Sequence, residues 1–204
     1  MIDRLCYHDG GQNAAVAYFY IDFAIQKEQS SATILGALLK QVVGKLEKVP
    51  GEIVQAYENQ REVIGEQGPQ LSNIVKMLQI TSSEKCTFIF IDALDECAEG
   101  HRIELLDSLN KILLGSLGIR IFMTGRPHIL PEIRGRLAGR IASISIRLKR
   151  DDIIGYLHNK LDEDTIPEAM NCSLEADIMK KIPESSSEMY VEAAALLKLP
   201  QIIH

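Results

Sequence analysis

The chain contains no tryptophan, and aromatic residues make up only 5% of its 204 positions. Base stacking on aromatic platforms, a common way of holding single-stranded nucleic acid, has little to draw on here. No block of about five or six Lys or Arg marks a nucleic-acid or anionic-membrane footprint, and the net charge of -6 is spread along the chain. No nucleic-acid partner is expected. The four cysteines, Cys6, Cys86, Cys97 and Cys172, are far apart, and none falls in a CxxC or His-paired zinc spacing. That usage fits free thiols in a reducing compartment. His8, His101, His128, His158 and His204 are equally scattered, so a histidine metal site would have to be assembled entirely by the fold. No apolar stretch approaches the ~20 residues that span a bilayer. Met1 is followed by Ile2-Asp3-Arg4-Leu5-Cys6 and not by a basic region leading into an apolar core, so no secretory signal is visible. The expectation is a cytoplasmic chain with no membrane partner.

What is present is a hydrophobic content of 46%, enough over 204 residues for one sizeable core with a small appendage. Short apolar runs alternate with longer amphipathic ones, the pattern of βα units around a parallel sheet. Four runs read as strands: Ala15 to Phe23, rich in aromatic and β-branched residues after Gly10-Gly11; Phe88 to Ile91; Ile119 to Thr124, between Gly118 and Gly125; and Ile141 to Ile146. The second and third are apolar nearly throughout and read as central, and the alternating fourth reads as half exposed. Between them, Ile34, Leu35, Leu38, Leu39, Val42, Val43 and Leu46 predict a helix from about Ser30 to Lys48, stopped by Pro50-Gly51. Further helices are predicted over Glu52 to Val63, Gln70 to Ile80, His101 to Leu114, a short one after Pro131, one starting at Asp151-Asp152, and one around Leu174 to Ile182. Gly65 to Pro69 reads as a loop, Asp162 to Ser173 as a polar linker, and the Ala-Leu stretch after Val191 as helix-like.

The second strand carries the clearest chemical signal. It stops abruptly in Asp92-Ala93-Leu94-Asp95-Glu96, and ligands of open α/β sheets bind in the crevice beyond the carboxyl ends of the strands. An apolar strand ending in Asp and followed by a second acidic pair is the pattern of a Walker B element. Its first carboxylate holds a magnesium shell, and a later one orients or deprotonates the attacking water. Magnesium keeps several waters, so one carboxylate plus substrate phosphates can suffice. The alternative is a strand end followed by an acidic first helical turn, with Asp95 or Glu96 as a cap. The third strand ends in Thr124-Gly125-Arg126-Pro127 and would bring a hydroxyl and a guanidinium to the same edge. Arg suits phosphate oxygens through its planar fork; the alternative is a surface Arg in a Gly-Pro turn. A haloacid-dehalogenase-type site wants two aspartates separated by one residue, and Asp92 and Asp95 are separated by two.

Phe88 to Cys97 followed by Arg120 to Pro127 resembles the NACHT nucleotide-binding module, in its nephrocystin-3-like N-terminal version from fungal proteins. The likeness extends to Ala15–Phe23 and Leu148–Ile153 and covers about Ile2 to Pro183. Members are P-loop ATPases or GTPases of the STAND class, joined to an N-terminal effector and C-terminal ankyrin or WD repeats. The resemblance implies a P-loop NTPase-like α/β core over residues 1–148, with a helical segment over 149–204 that begins a C-terminal subdomain. It implies Asp92 as the magnesium acid, Asp95 and Glu96 as the catalytic acidic pair near the γ-phosphate, and Arg126 as the sensor at the end of the following strand; with Asp92 and Arg126, the strand-end hydroxyl of Thr124 is expected among the cofactor contacts. The cofactors of complete members are Mg2+ and ATP or GTP, and their partners are other proteins or further copies of themselves. These 204 residues contain no GxxxxGK followed by Ser or Thr, the loop whose backbone N–H groups cradle phosphates. By the resemblance, the first strand and this loop would lie before residue 1. Two readings stand: part of a nucleotide-dependent switch that is not hydrolytic as this chain alone, or a scaffold or truncated remnant that binds proteins without nucleotide.

Overall fold

Alternation of small apolar and larger residues makes Ala14–Tyr20 the first strand, β1: Ala15 and Ala17 are buried, and Tyr18 and Tyr20 are exposed. The chain is described here from a computed structural model, in which the described residues are 14–62, 69–137, 141–147, 149–162, 172–186 and 190–196. The predicted strand to Phe23 ends earlier, at Tyr20. Asp22 caps a short 3-10 turn over Phe23–Ile25 by accepting the Ala24 N–H at 2.8 Å, and that local bond competes with continued strand. The helix α1, Ser31–Val43, begins at Ser30, whose hydroxyl accepts the Thr33 N–H at 3.2 Å. Its Ile34, Leu35, Leu38 and Val42 form one buried stripe. It stops short of the predicted Lys48. Next come α2, Gly51–Glu62, and α3, Leu71–Glu84.

The third helix runs four residues past the predicted end at Ile80, through Thr81-Ser82-Ser83-Glu84. Those hydroxyl residues survive inside a helix because each turns back on it. Thr81 donates to Met77 O at 3.0 Å, Ser82 to Leu78 O at 2.6 Å and Ser83 to Gln79 O at 2.9 Å. Thr81 and Ser82 are thereby buried without an unmet hydroxyl. The strand β2, Cys86–Asp92, follows, then a 3-10 turn over Leu94–Glu96, helix α4 over Glu99–Gly115 and strand β3 over Ile119–Gly125. Gly118 lets β3 start hard against the end of α3, since a Cβ there would sit 2.3 Å from Ser82 O. Helix α5, Leu130–Arg136, strand β4, Ile141–Arg147, helices α6, Arg150–Asp162, and α7, Cys172–Ser186, and strand β5, Tyr190–Leu196, complete the order.

β1, β2 and β3 form a parallel trio in continuous register: Tyr18 pairs with Phe90, Tyr20 with Asp92 and Ile91 with Met123. The architecture is α/β, with three parallel strands flanked by helices, and it is compatible with a P-loop-like sheet. The core lies on one face, where Ile89, Ile91, Ile121 and Met123 meet Leu35, Leu38, Leu78, Leu105 and Leu109. On the other face the Phe122 ring stacks on Phe90 with centroids 4.9 Å apart. β2 and β3 are interior strands, as their composition predicts. β4 is more exposed than its alternation suggests, with Ile144 at 62% and Ile146 at 52% exposure.

The helix expected in the Ala-Leu stretch is instead a strand. β5 pairs antiparallel to β3, and the sheet order is β1-β2-β3-β5-β4. Alanine's helix preference is a fraction of a kcal/mol per residue, about 0.5 relative to ordinary neighbours, and sheet pairing overrides it. The chain forms one compact unit that runs to Ile144 and takes in the chain again from Glu192, and a second over Ser145–Val191. The predicted loop over Gly65 to Pro69 and linker over Asp162 to Ser173 fall largely outside the described residues.

Candidate functional site

Parallel pairing brings the carboxyl ends of β1, β2 and β3 to one edge. Asp92 ends β2, exposed, and its Oδ1 accepts the hydroxyl of Thr124 from the end of β3. Thr124 Oγ1 in turn accepts the N–H of Ala93 at 3.0 Å. One hydroxyl thus ties the Asp92 carboxylate to the next peptide. Ala93 is the residue that turns the chain: at φ 56° and ψ 45° it is left-handed, the one positive-φ residue other than glycine among those described. For a residue with a Cβ this region costs roughly 1–2 kcal/mol, and strain of this kind concentrates at functional turns.

That turn aims the next two carboxylates at different neighbours. Asp95, only 8% exposed, accepts the backbone N–H of Arg126 with Oδ1 at 3.1 Å and faces the Arg126 Nε with Oδ2 at 3.3 Å. Gly125 makes this approach possible, because a Cβ there would lie 3.3 Å from Asp95 Oδ1 and 2.7 Å from Ile129 Cδ1. Glu96 reaches the other way, its Oε2 accepting the Phe23 N–H at 3.2 Å beyond the end of β1. The turn therefore clamps all three strand ends. Arg126 is gripped at its Nε while its side chain stays 70% exposed, an arrangement that leaves the outer guanidinium edge toward solvent.

All five residues singled out from the sequence, Asp92, Asp95, Glu96, Thr124 and Arg126, meet at this edge. Three features were not visible in the sequence: the left-handed Ala93, the anchoring of Phe23 by Glu96, and the Gln29 side chain, buried and accepting the Asp22 N–H at 3.0 Å. Only Asp22 carried a signal, as a polar residue at the end of an apolar run. Among the described residues no group of three His, Cys, Asp or Glu is placed to hold a metal ion. A cation here would rest on Asp92, with water and ligand oxygens completing its shell, which is the way magnesium is usually held.

Behind the turn, Cys97 is buried. Burial pushes its thiol up, the Arg102 guanidinium opposes this and the Glu132 carboxylate adds to it. Arg102 donates to Cys97 O at 2.9 Å and pairs with Glu132 at 3.0 Å, joining the turn to α4 and α5. No helix among the described residues is long and apolar enough to cross a membrane.

The fold and its edge define an α/β protein with a polar, partly strained site at the carboxyl ends of a parallel sheet. Its sequence matches the family model of the nephrocystin 3 N-terminal region over residues 1–126, well over half of the 204, ending at Arg126 and taking in all five site residues. The chain belongs to the nephrocystin 3 N-terminal family. No curated protein and no solved structure matches it.

Proposed function

We propose that this chain is part of a NACHT-type nucleotide-responsive switch and supplies the metal and sensor half of its site. The observation that carries the reading is the convergence of Asp92, Thr124, Glu96 and an Asp95-braced Arg126 on one sheet edge. In this reading Asp92, oriented by Thr124, is the protein ligand of Mg2+ bound with ATP or GTP, and the exposed edge of Arg126 meets phosphate oxygens. The bound cation would offset phosphate charge. Glu96, with one oxygen on Phe23 N, is the acid of the pair left to act on water, and Asp95 holds the sensor. The phosphate cradle must come from outside these 204 residues, which contain no GxxxxGK followed by Ser or Thr. This chain alone is therefore proposed not to hydrolyse nucleotide.

A second reading, a protein-binding scaffold without nucleotide, is favoured by the apolar rim beside the site, where Tyr20 is 57%, Phe23 65% and Ile25 45% exposed. Titration calorimetry separates the two. The 204-residue chain should give no saturable heat with Mg·ATP or Mg·GTP, and the chain joined in frame to a strand–loop–helix bearing the missing loop should bind, with Asp92→Asn abolishing the magnesium dependence. Saturable magnesium-dependent binding by the 204 residues alone would overturn the division of the site. An extended chain that ignores nucleotide would leave the scaffold.

A further inference from the structure

Two strands that follow one another in the chain, β3 and β4, flank a third that arrives much later, because the sheet order is β1-β2-β3-β5-β4. The fold thus contains a one-strand slot beside β3, and Tyr190–Leu196 fills it. That occupant runs antiparallel to β3, with Leu196 opposite Ile121, Ala194 opposite Met123 and Glu192 opposite Gly125, whereas β1, β2 and β3 are parallel to one another. Ala193, Ala194 and Ala195 stand opposite Thr124, Met123 and Phe122. Alanine is depleted in strands, so the slot is held by a weakly strand-forming segment. When that segment leaves, β3 and β4 both present unpaired N–H and C=O groups, a template for another strand.

The occupant also reaches β3 by a long connection. The chain leaves the first compact unit after Ile144 and returns at Glu192, with Ser145–Val191 forming a compact unit of its own, so no tight hairpin turn delivers β5 to β3. We propose that the slot is an exchange interface between copies of this chain, in which Tyr190–Leu196 of one copy pairs with Ile119–Gly125 of another. The second copy is the partner because it carries the segment whose register with β3 the fold already shows. Moving that segment from its own sheet to a neighbour's keeps the β3–β5 backbone pairing, so concentration and tether length set the balance. The register places Glu192 beside Gly125, between Thr124 and Arg126, so self-association is written onto the same edge as the candidate site. Such an exchange needs no bound nucleotide.

Cysteines at register partners test it. One full-length population carries Met123→Cys and a second Ala194→Cys; the two are mixed at rising concentration under mild oxidation, and the peptide linking positions 123 and 194 is measured by mass spectrometry. The expected result is a linked heterodimer that increases with concentration and is lost when the second population also carries Ala195→Pro, since proline removes a ladder donor. A chain bearing both cysteines reports the same link within one copy at low concentration. Linkage within the double variant but never in the mixture would overturn exchange, and linkage in neither would overturn the slot itself. The register pair Thr124 and Ala193 gives an independent trap in case Met123→Cys disturbs the core.

Discussion

Replacing Asp95 decides what the acidic turn is for. Its carboxylate receives the Arg126 backbone N–H at 3.1 Å and the Arg126 Nε at 3.3 Å, with Asp95 8% and Arg126 70% exposed. A hydrogen bond to a charged group is worth about 1.5–3 kcal/mol when sheltered, whereas an exposed ion pair gives about 0–1. The backbone contact is the sheltered one and the guanidinium contact is partly screened. Asp95→Asn keeps a carbonyl oxygen for the Arg126 N–H and loses the charge, so it should cost about 1 kcal/mol. Asp95→Ala loses both contacts and leaves the Arg126 N–H without its partner, so about 2 kcal/mol is expected. Arg126→Ala keeps the backbone bond and should cost about 0.5 kcal/mol.

Urea unfolding of the 204-residue chain followed by circular dichroism resolves these steps, as a constant slope with a shifted midpoint reports stability. In thermal melts each kcal/mol corresponds to about 2–4 °C for a chain of this size. A double-mutant cycle between Asp95→Asn and Arg126→Ala should show a coupling of about 0.5 kcal/mol. An Asp95→Ala chain with an unshifted midpoint and no coupling to Arg126 would refute the brace and return the Asp95 carboxylate to the candidates for activating water.

The left-handed Ala93 should accept glycine at little or no cost. Relief of about 1–2 kcal/mol of strain is offset by the roughly 0.4–1 kcal/mol that glycine adds to unfolded-chain entropy, so Ala93→Gly melts at or slightly above the parent and Ala93→Val well below it. A glycine chain that melts lower would mean the turn is not left-handed in solution. For Cys97, burial raises the thiol's pKa, so the neutral thiol contributes stability that is complete below its unfolded value and lost as pH rises through the folded one. Iodoacetamide at pH 8 should therefore modify Cys97 at least about ten-fold more slowly in the folded chain than in urea, while half-buried Cys86 is modified sooner. Equal rates at the two cysteines would show that the turn after Asp92 opens freely.

The interior strands were legible because burial on both faces leaves continuous apolar runs, as in Phe88 to Ile91, and such runs admit few other placements. The site's membership was legible for a related reason, since Asp92, Thr124 and Arg126 each stand where an apolar run stops. Other boundaries were hidden by bonds that composition does not encode. Thr81, Ser82 and Ser83 look like a helix terminator and instead extend α3 by bonding back along it. Tyr190–Leu196 looks helical by its alanines and becomes a strand because β3 offers it an edge. Local preference loses wherever a long-range pairing is available, and that pairing is a property of register.

Register also separates the three acids, which spacing alone treats as one cluster. Asp92 lies at the level of Tyr20 and one step beyond the Ile91–Met123 pair, so its carboxylate meets a hydroxyl from β3. The left-handed residue then reverses the chain, and Asp95 and Glu96, adjacent in sequence, leave a 3-10 turn toward opposite neighbours, one to the end of β3 and one beyond the end of β1. This one turn ties three strand ends together, through Asp95, nearly buried, to Arg126 and through Glu96 to Phe23. A ligand that drew Arg126 outward would pull on Asp95, and through the same turn on Glu96 and the exposed Phe23 rim. In the proposed switch, contact of an anion with Arg126 would be coupled through this turn to the apolar rim at Phe23.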